Sequence, residues 1–202
     1  MTPEPPHNVL VRSAARWATA DADAWAAFRA LFRTRAAGAD DHLVRAGDAL
    51  PDVFFVAGGL LRLYYTDRQG REWNKAFTPE GGFAGSLASG LLGVPAPYSV
   101  QAVEPSMVLV AAWADLEALY TRRPALERLG RRLAERIAVK KEMRERAFLE
   151  QTPTERWQAF ARDEPRLVAR LPLYHVASYL GMTAVSLSRI RGRLAREAPG
   201  SP

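Results

Sequence analysis

The spacing of apolar positions changes twice along this chain. In an alanine-rich opening stretch, Trp17, Trp25, Phe28, Leu31 and Phe32 recur at helical spacing and predict a helix over 12–37. Gly38-Ala-Asp-Asp41 ends it. From His42 to Val110 the apolar runs are short and turn residues separate them. Val53–Val56, Leu60–Tyr65, Ser99–Val103 and Met107–Ala111 predict strands, and Glu72–Phe77 can pair back across the turn at Gly70. So many short strands imply a compact antiparallel sandwich or barrel. Helical spacing returns over 114–149, interrupted near Pro124. Within it Leu126, Leu129, Leu133, Ile137 and Lys140 fall at steps of three and four, a heptad-like seam. Such a seam suits a dimerisation helix or a helix packed on its own domain, and the dimer is the preferred reading. Thr152-Pro-Thr-Glu155 marks a boundary and a helix start, with Thr154 as the cap and Trp157 and Phe160 opening an apolar face. Pro165 and Pro172 bracket a short helix over 166–171.

The most informative stretch is Pro172 to Leu194. Val176, Ala177 and Leu180 form the inner face of one helix, and Ala177 is small where two helices cross. Gly181 permits the positive φ of a tight turn, Met182 plugs it, and Thr183 caps a second helix. Val185 or Leu187, then Ile190 and Leu194, seat that helix. Ser186, Ser188, Arg189, Arg191 and Arg193 face outward. This is helix-turn-helix spacing, in which the second helix enters the major groove of DNA.

Charge supports that reading. The net charge is +6 over 202 residues. Residues 1–121 carry 10 basic and 13 acidic side chains, net −3. Residues 122–150 carry 10 and 5, net +5, and residues 151–202 carry 8 and 4, net +4. Between Pro172 and Arg196 there are four arginines and no acid. A basic C-terminal part fits a module that meets polyanions.

Composition excludes several chemistries. With no cysteine, disulfides, thiolate zinc sites, iron–sulfur clusters and a cysteine nucleophile are ruled out. His7, His42 and His175 lack metal-ligand spacing, so no metal and no cofactor is expected. A cupin-type enzyme needs clustered histidines, and His42 alone lies among the strands; the protein is read as a non-enzyme. No apolar run spans a bilayer and the N-terminus lacks a signal-peptide layout, so a cytoplasmic protein without membrane partners is expected.

The chain resembles the Crp/Fnr family of bacterial transcription regulators from about His42 to Leu194. Arg45-Ala-Gly-Asp48, Phe54–Leu63 and Gly70-Arg-Glu72 are similar to its cyclic-nucleotide-binding β-roll. Asp115–Leu119 and the helix after Pro124 resemble its connecting and dimer helices. Tyr179-Leu-Gly181 and Val185–Ile190 match its DNA reader. The resemblance implies an α+β fold: an antiparallel β-roll flanked by helices, a long dimerisation helix and a C-terminal winged-helix-type helix-turn-helix domain. The corresponding divisions are 1–114, 115–150 and 151–202. It also implies a homodimer on a two-fold symmetric site, with Thr183 and Ser186 on phosphates and Arg189 on a base edge. Ser188 and Arg193 complete the expected DNA-binding set. Ala184 and Val185 stand where the family often places a base-reading arginine and a glutamate.

The β-roll departs from the family. Nucleotide-binding members hold the cyclic phosphate with a Gly-Glu-Leu turn and a later arginine. Here the turn is Gly85-Ser86-Leu87 and the later stretch is Pro95-Ala-Pro-Tyr-Ser99. Lys140 and Lys141 replace the dimer-helix hydroxyls that meet the purine. A phosphate buried without its cation carries a large penalty, so ordinary cyclic AMP sensing is not expected. Any effector pocket would draw on Arg62, Tyr64, Gly85, Ser86, Tyr98 and Lys140. The reading is a homodimeric, sequence-specific transcription regulator whose partners are duplex DNA and RNA polymerase, with an unidentified small-molecule effector or none. The alternative is a small-molecule-binding signalling module whose basic C-terminal helices contact a protein.

Overall fold

The computed structural model describes residues 4–49 and 52–197. The chain divides into two compact units, one made of residues up to 66 with 75–137, the other of 67–74 with 138 onward.

The first unit opens differently from the sequence expectation. In place of one helix over 12–37 there are α1 (Pro6–Ala14), α2 (Ala22–Ala30) and strand β1 (Arg33–Ala37). Asp21 stops the helix running through, because its carboxylate accepts from Ala24 N at 2.7 Å and caps α2. Residues 33–37 extend because β8 offers them an edge, from Arg33↔Val110 to Ala37↔Ser106. Pairing overrides the helical preference of the local composition.

The remaining strands are β2 (His42–Val44), β3 (Asp52–Gly58), β4 (Leu60–Thr66), β5 (Glu72–Pro79), β6 (Phe83–Gly85), β7 (Ser99–Ala102) and β8 (Ser106–Ala112). They form two four-stranded sheets, β1-β8-β3-β6 and β2-β7-β4-β5. The antiparallel β-roll expected from the sequence is the fold observed. Phe54, Val56, Leu61, Leu63, Val100, Val108 and Val110 form one buried core of the roll. The alternate residues Val53, Phe55, Leu109 and Ala111 join a second core, with α1, α2, α4 (Trp113–Arg122) and the start of α5 (Pro124–Glu150). Phe28, Phe55 and Leu109 there are almost fully buried, each contributing about 1.5–3 kcal/mol. Gly59, with φ +96°, is obligatory between β3 and β4, since a Cβ there would collide with the Ser106 side chain and backbone.

The break at Pro124 is where the sequence puts it, but the seam that follows serves two purposes. Leu126 and Leu129 are buried in their own unit and Leu133 packs against the same core. That part of the expected dimer seam is intramolecular. From Glu135 to Met143 every residue is exposed, Ile137, Val139 and Met143 included.

The second unit contains the rest of α5, then α6 (Pro153–Asp163), α7 (Pro165–Arg170), α8 (Leu173–Tyr179) and α9 (Ala184–Glu197). Its core holds Trp157, Phe160, Leu167, Leu171, Val176, Ala177, Leu180 and Leu187. The cap of α6 is Thr152, not Thr154. Thr152 Oγ1 accepts from Glu155 N, while the Glu155 carboxylate accepts from Thr152 N at 2.7 Å. Pro153 fits the first helical position and puts Glu155 third, which the reciprocal box requires. The winged type expected from the sequence is represented by its helices: no strand lies between 151 and 197, and residues 198–202 are outside the described part.

Residues 67–74 pack with these helices. Asn74 N donates to Ser178 Oγ at 2.9 Å, and Asn74 Nδ2 donates to the His175 carbonyl at 3.1 Å. Ser178 Oγ donates to the Glu72 carbonyl at 3.0 Å. Arg144 Nη2 bridges the carbonyls of Asn74 and Tyr179, at 3.3 and 2.9 Å. His175 is thereby explained as a buried structural residue, hydrogen-bonded through Nδ1 to Asn74.

Candidate nucleic-acid interface

The turn between α8 and α9 is built as its residues require. Gly181 has φ +69°, and Met182 N donates back to the Ala177 carbonyl at 3.0 Å. Thr183 Oγ1 accepts from Ser186 N at 3.1 Å and lies 2.9 Å from Ser186 Oγ. Thr183 thus caps α9 as expected. The choice left open between Val185 and Leu187 is resolved: Leu187 is fully buried and Val185 is 60% exposed.

Leu187, Ile190 and Leu194 define the seated side of α9. At 100° per residue, Val185, Arg189, Gly192 and Arg196 run along the opposite side, and Ser188 lies beside them. Thr183, Ser186, Ser188, Arg189 and Arg193 are all exposed. Arg193 is turned toward α6, where its Nη2 donates to Thr154 Oγ1 at 2.8 Å. Arg191 reaches the same helix one turn further along, its guanidinium 5.4 Å from the Trp157 ring centre. Arg156 Nε donates to the Leu180 carbonyl at 3.1 Å and holds the end of α8. Tyr179 supports the same corner; burial first, and Glu164 with it, raises its hydroxyl pKa against the opposing charge of Arg144. Sequence reasoning passed over Tyr174, which is 58% exposed on α8. Its signal was a large aromatic outside the apolar face of Val176, Ala177 and Leu180.

The suggested effector residues fall into separate groups. Gly85, Ser86 and Tyr98 meet: the Tyr98 hydroxyl donates to the Gly85 carbonyl at 2.6 Å. Ser86 caps the short helix α3 (Leu87–Leu92) by accepting from Ser89 N. Burial, with some help from Tyr65 and against hydrogen bonding to Ser86, raises the Tyr98 pKa. Lys75, which the sequence reading did not single out, brings Nζ to 4.5 Å from the Tyr98 ring centre. Arg62 and Tyr64 alternate with Leu61 and Leu63 along β4 and so occupy the other sheet face. There Arg62 Nε donates to Gln101 Oε1 at 2.6 Å, its guanidinium stacks 4.0 Å from the Tyr64 ring centre, and Tyr64 Oη meets His42 Nε2. Lys140 belongs to the other unit, 3.9 Å from Glu164. Among the described residues no cluster of three or more His, Asp or Glu could hold a metal. No helix among them is long and apolar enough to cross a membrane.

Residues 34–123 match the family of the cyclic nucleotide-binding domain. Over most of its length the chain is also similar in fold to solved structures at under 20% identity. FixK2 from Bradyrhizobium japonicum aligns with a TM-score of 0.70 at 19% identity, over 84% of this chain and 89% of its own. The c-di-GMP responsive global regulator CLP from Xanthomonas campestris aligns at 0.70 and 16% identity, over 89% of this chain and 96% of its own. A CooA variant from Carboxydothermus hydrogenoformans aligns at 0.69 and 17%, over 83% and 78%. No curated protein matches the sequence.

The turn that resembles the family's nucleotide-holding turn carries no acid, and the cation beside it is Lys75. Ser86 stands where an acid would take the ribose, and its hydroxyl is engaged in capping α3. The Tyr98 hydroxyl is committed to Gly85, and residues 95–99 supply no cation for the phosphate.

Proposed function

We propose that the protein is a homodimeric, sequence-specific DNA-binding transcription regulator of the Crp/Fnr type, not an enzyme, and that it does not take cyclic AMP in the usual way. The observation that carries this reading is the outer side of α9. It is acid-free from Ala184 to Arg196, exposes Ser186, Ser188, Arg189 and Arg193, and is anchored from behind by Leu187. Such a helix suits the major groove, with arginine on a guanine edge and hydroxyls on phosphates. Dimerisation is supported by the exposed apolar residues of α5, and two-fold symmetry then pairs two such helices. RNA polymerase is the further partner such a regulator would meet.

The test is duplex binding at low salt. The full chain should retard random duplex DNA and lose that ability when Pro153–Pro202 is removed. Retention of binding by the truncated chain would place the DNA contact elsewhere. A protein that ignores DNA at low salt would point to a signalling module whose basic helices contact another protein. For the effector, calorimetry with millimolar cyclic AMP should show no micromolar site.

A further inference from the structure

We infer that Val185 reads the C5-methyl group of a thymine in the major groove, so that the recognition site contains a thymine selected by apolar contact. This rests on the DNA-binding reading above and names one element of its specificity. Three observations carry it. Val185 is 60% exposed although it is apolar and β-branched, a side chain that neither favours helices nor gains from water. Its place is not incidental. It lies at the middle of the outer side of α9, directly opposite the seat formed by Leu187, Ile190 and Leu194. It is also in the first turn of the helix, one turn before Arg189 on the same ridge, so whatever Arg189 meets, Val185 meets a neighbouring part.

The surroundings decide the chemistry of the occupant. The helix carries arginines at 189, 191, 193 and 196 and no acid before Glu197, so the surface presented with Val185 suits a polyanion. Among base edges in the major groove, the thymine methyl is the apolar group a valine can cover. A hydroxyl or amide at this position could satisfy donors and acceptors; a valine would leave them unpaired, which disfavours the other base edges. Covering one methyl group corresponds to about a fourfold change in affinity per half-site. The selected thymine should lie within about two base pairs of the base taken by Arg189, since the two side chains are one helical turn apart.

The experiment uses the full chain. A binding site is first selected from random duplexes. Each thymine of the selected duplex is then replaced singly by deoxyuridine, which removes only the methyl group. Wild-type protein should lose about fourfold at one thymine in each half-site and about fifteenfold when both are changed. Val185→Ala should bind the thymine and uracil duplexes nearly alike, with its fold checked by circular dichroism. If no thymine-to-uracil change weakens the wild type, or if the loss persists in Val185→Ala, the proposal is overturned while DNA binding stands. If no duplex is bound at all, the DNA-binding reading fails and this proposal with it.

Discussion

Gly181 and Phe148 are in contact: a Cβ on the glycine would fall 2.6 Å from Phe148 Cε1. Gly181 also has φ +69°, so a side chain there is strained twice. Gly181→Ala should destabilise the second unit by about 2–4 kcal/mol, combining left-handed strain with overpacking. Gly70→Ala is the control, because Gly70 has φ +77° with nothing within 4 Å. It should cost about 1 kcal/mol. Denaturant unfolding of both variants decides whether the aromatic contact matters.

Arg189 and Arg193 should separate sequence reading from general affinity. Arg189 lies on the outermost ridge of α9, whereas Arg193 is drawn to Thr154 on its flank. Arg189→Ala should cost about 1–3 kcal/mol on the selected site and much less on random duplex. Arg193→Ala should weaken both alike and lower the salt slope by about one. Equal losses from Arg189→Ala on both duplexes would assign it to the phosphates.

Val139 and Met143 should report on dimerisation without disturbing the monomer, since they are 58% and 57% exposed. Val139→Glu combined with Met143→Glu should shift a micromolar solution from dimer to monomer in sedimentation, with the thermal transition of the β-roll unchanged. Leu133 is a poorer probe, because it packs against the core of its own unit and a charge there would unfold it.

The capping box of α6 should make stability depend on acid. Backbone and side-chain hydrogen bonds from Thr152 hold the Glu155 carboxyl below a free glutamate's 4.5. A group whose pKa is lowered by folding stabilises above its unfolded value and loses that contribution as pH falls through the folded one. Thermal melts between neutrality and about pH 3 should therefore fall less steeply for Glu155→Gln than for wild type. Thr152→Ala at neutral pH should cost about 1 kcal/mol.

Gly192 should be improvable. It sits inside α9, and a Cβ there would meet nothing closer than Arg196 Nη1 at 3.8 Å. Gly192→Ala should stabilise the second unit by about 0.5–1 kcal/mol through helix propensity. A variant that melts no later than wild type would show that propensity does not limit this helix.

Much of this architecture is legible in the sequence where local chemistry and tertiary packing agree. The strands around Phe54 and Leu63 alternate as a roll requires, and the Gly181–Thr183 turn carries its own cap and its own positive φ. The misreadings arise where distant partners decide. Residues 33–37 look helical by composition and become a strand because β8 pairs with them. Leu126 and Leu129 show the period of a dimer seam and are consumed by the core around Phe28 and Phe55. Period reports that a face is covered and is silent on what covers it. In the β-roll, aromatic residues read alike in sequence, so Tyr98 and Tyr64 could be grouped, yet Tyr98 joins the core of Leu61 and Leu63 while Tyr64 alternates to the other face of β4. Lys75 gave no signal at all, since its place beside Tyr98 depends on a chain fold that the pattern does not encode.

The reader helices are not a cassette. Their unit includes residues 67–74, the turn after β4 and the first residues of β5, so the backbone passes from one unit to the other three times. A single crossover in the gene cannot transfer that unit by itself: one placed before residue 67 carries residues 75–137 of the other unit along with it. One taken before residue 138 would deliver α6 to α9 without the backbone that hydrogen-bonds to Ser178, His175 and Arg144. Chimeras that graft this reader onto another sensor should therefore need a compatible segment at 67–74 as well. In descent, substitutions at Asn74 and His175 should travel together although a hundred codons separate them.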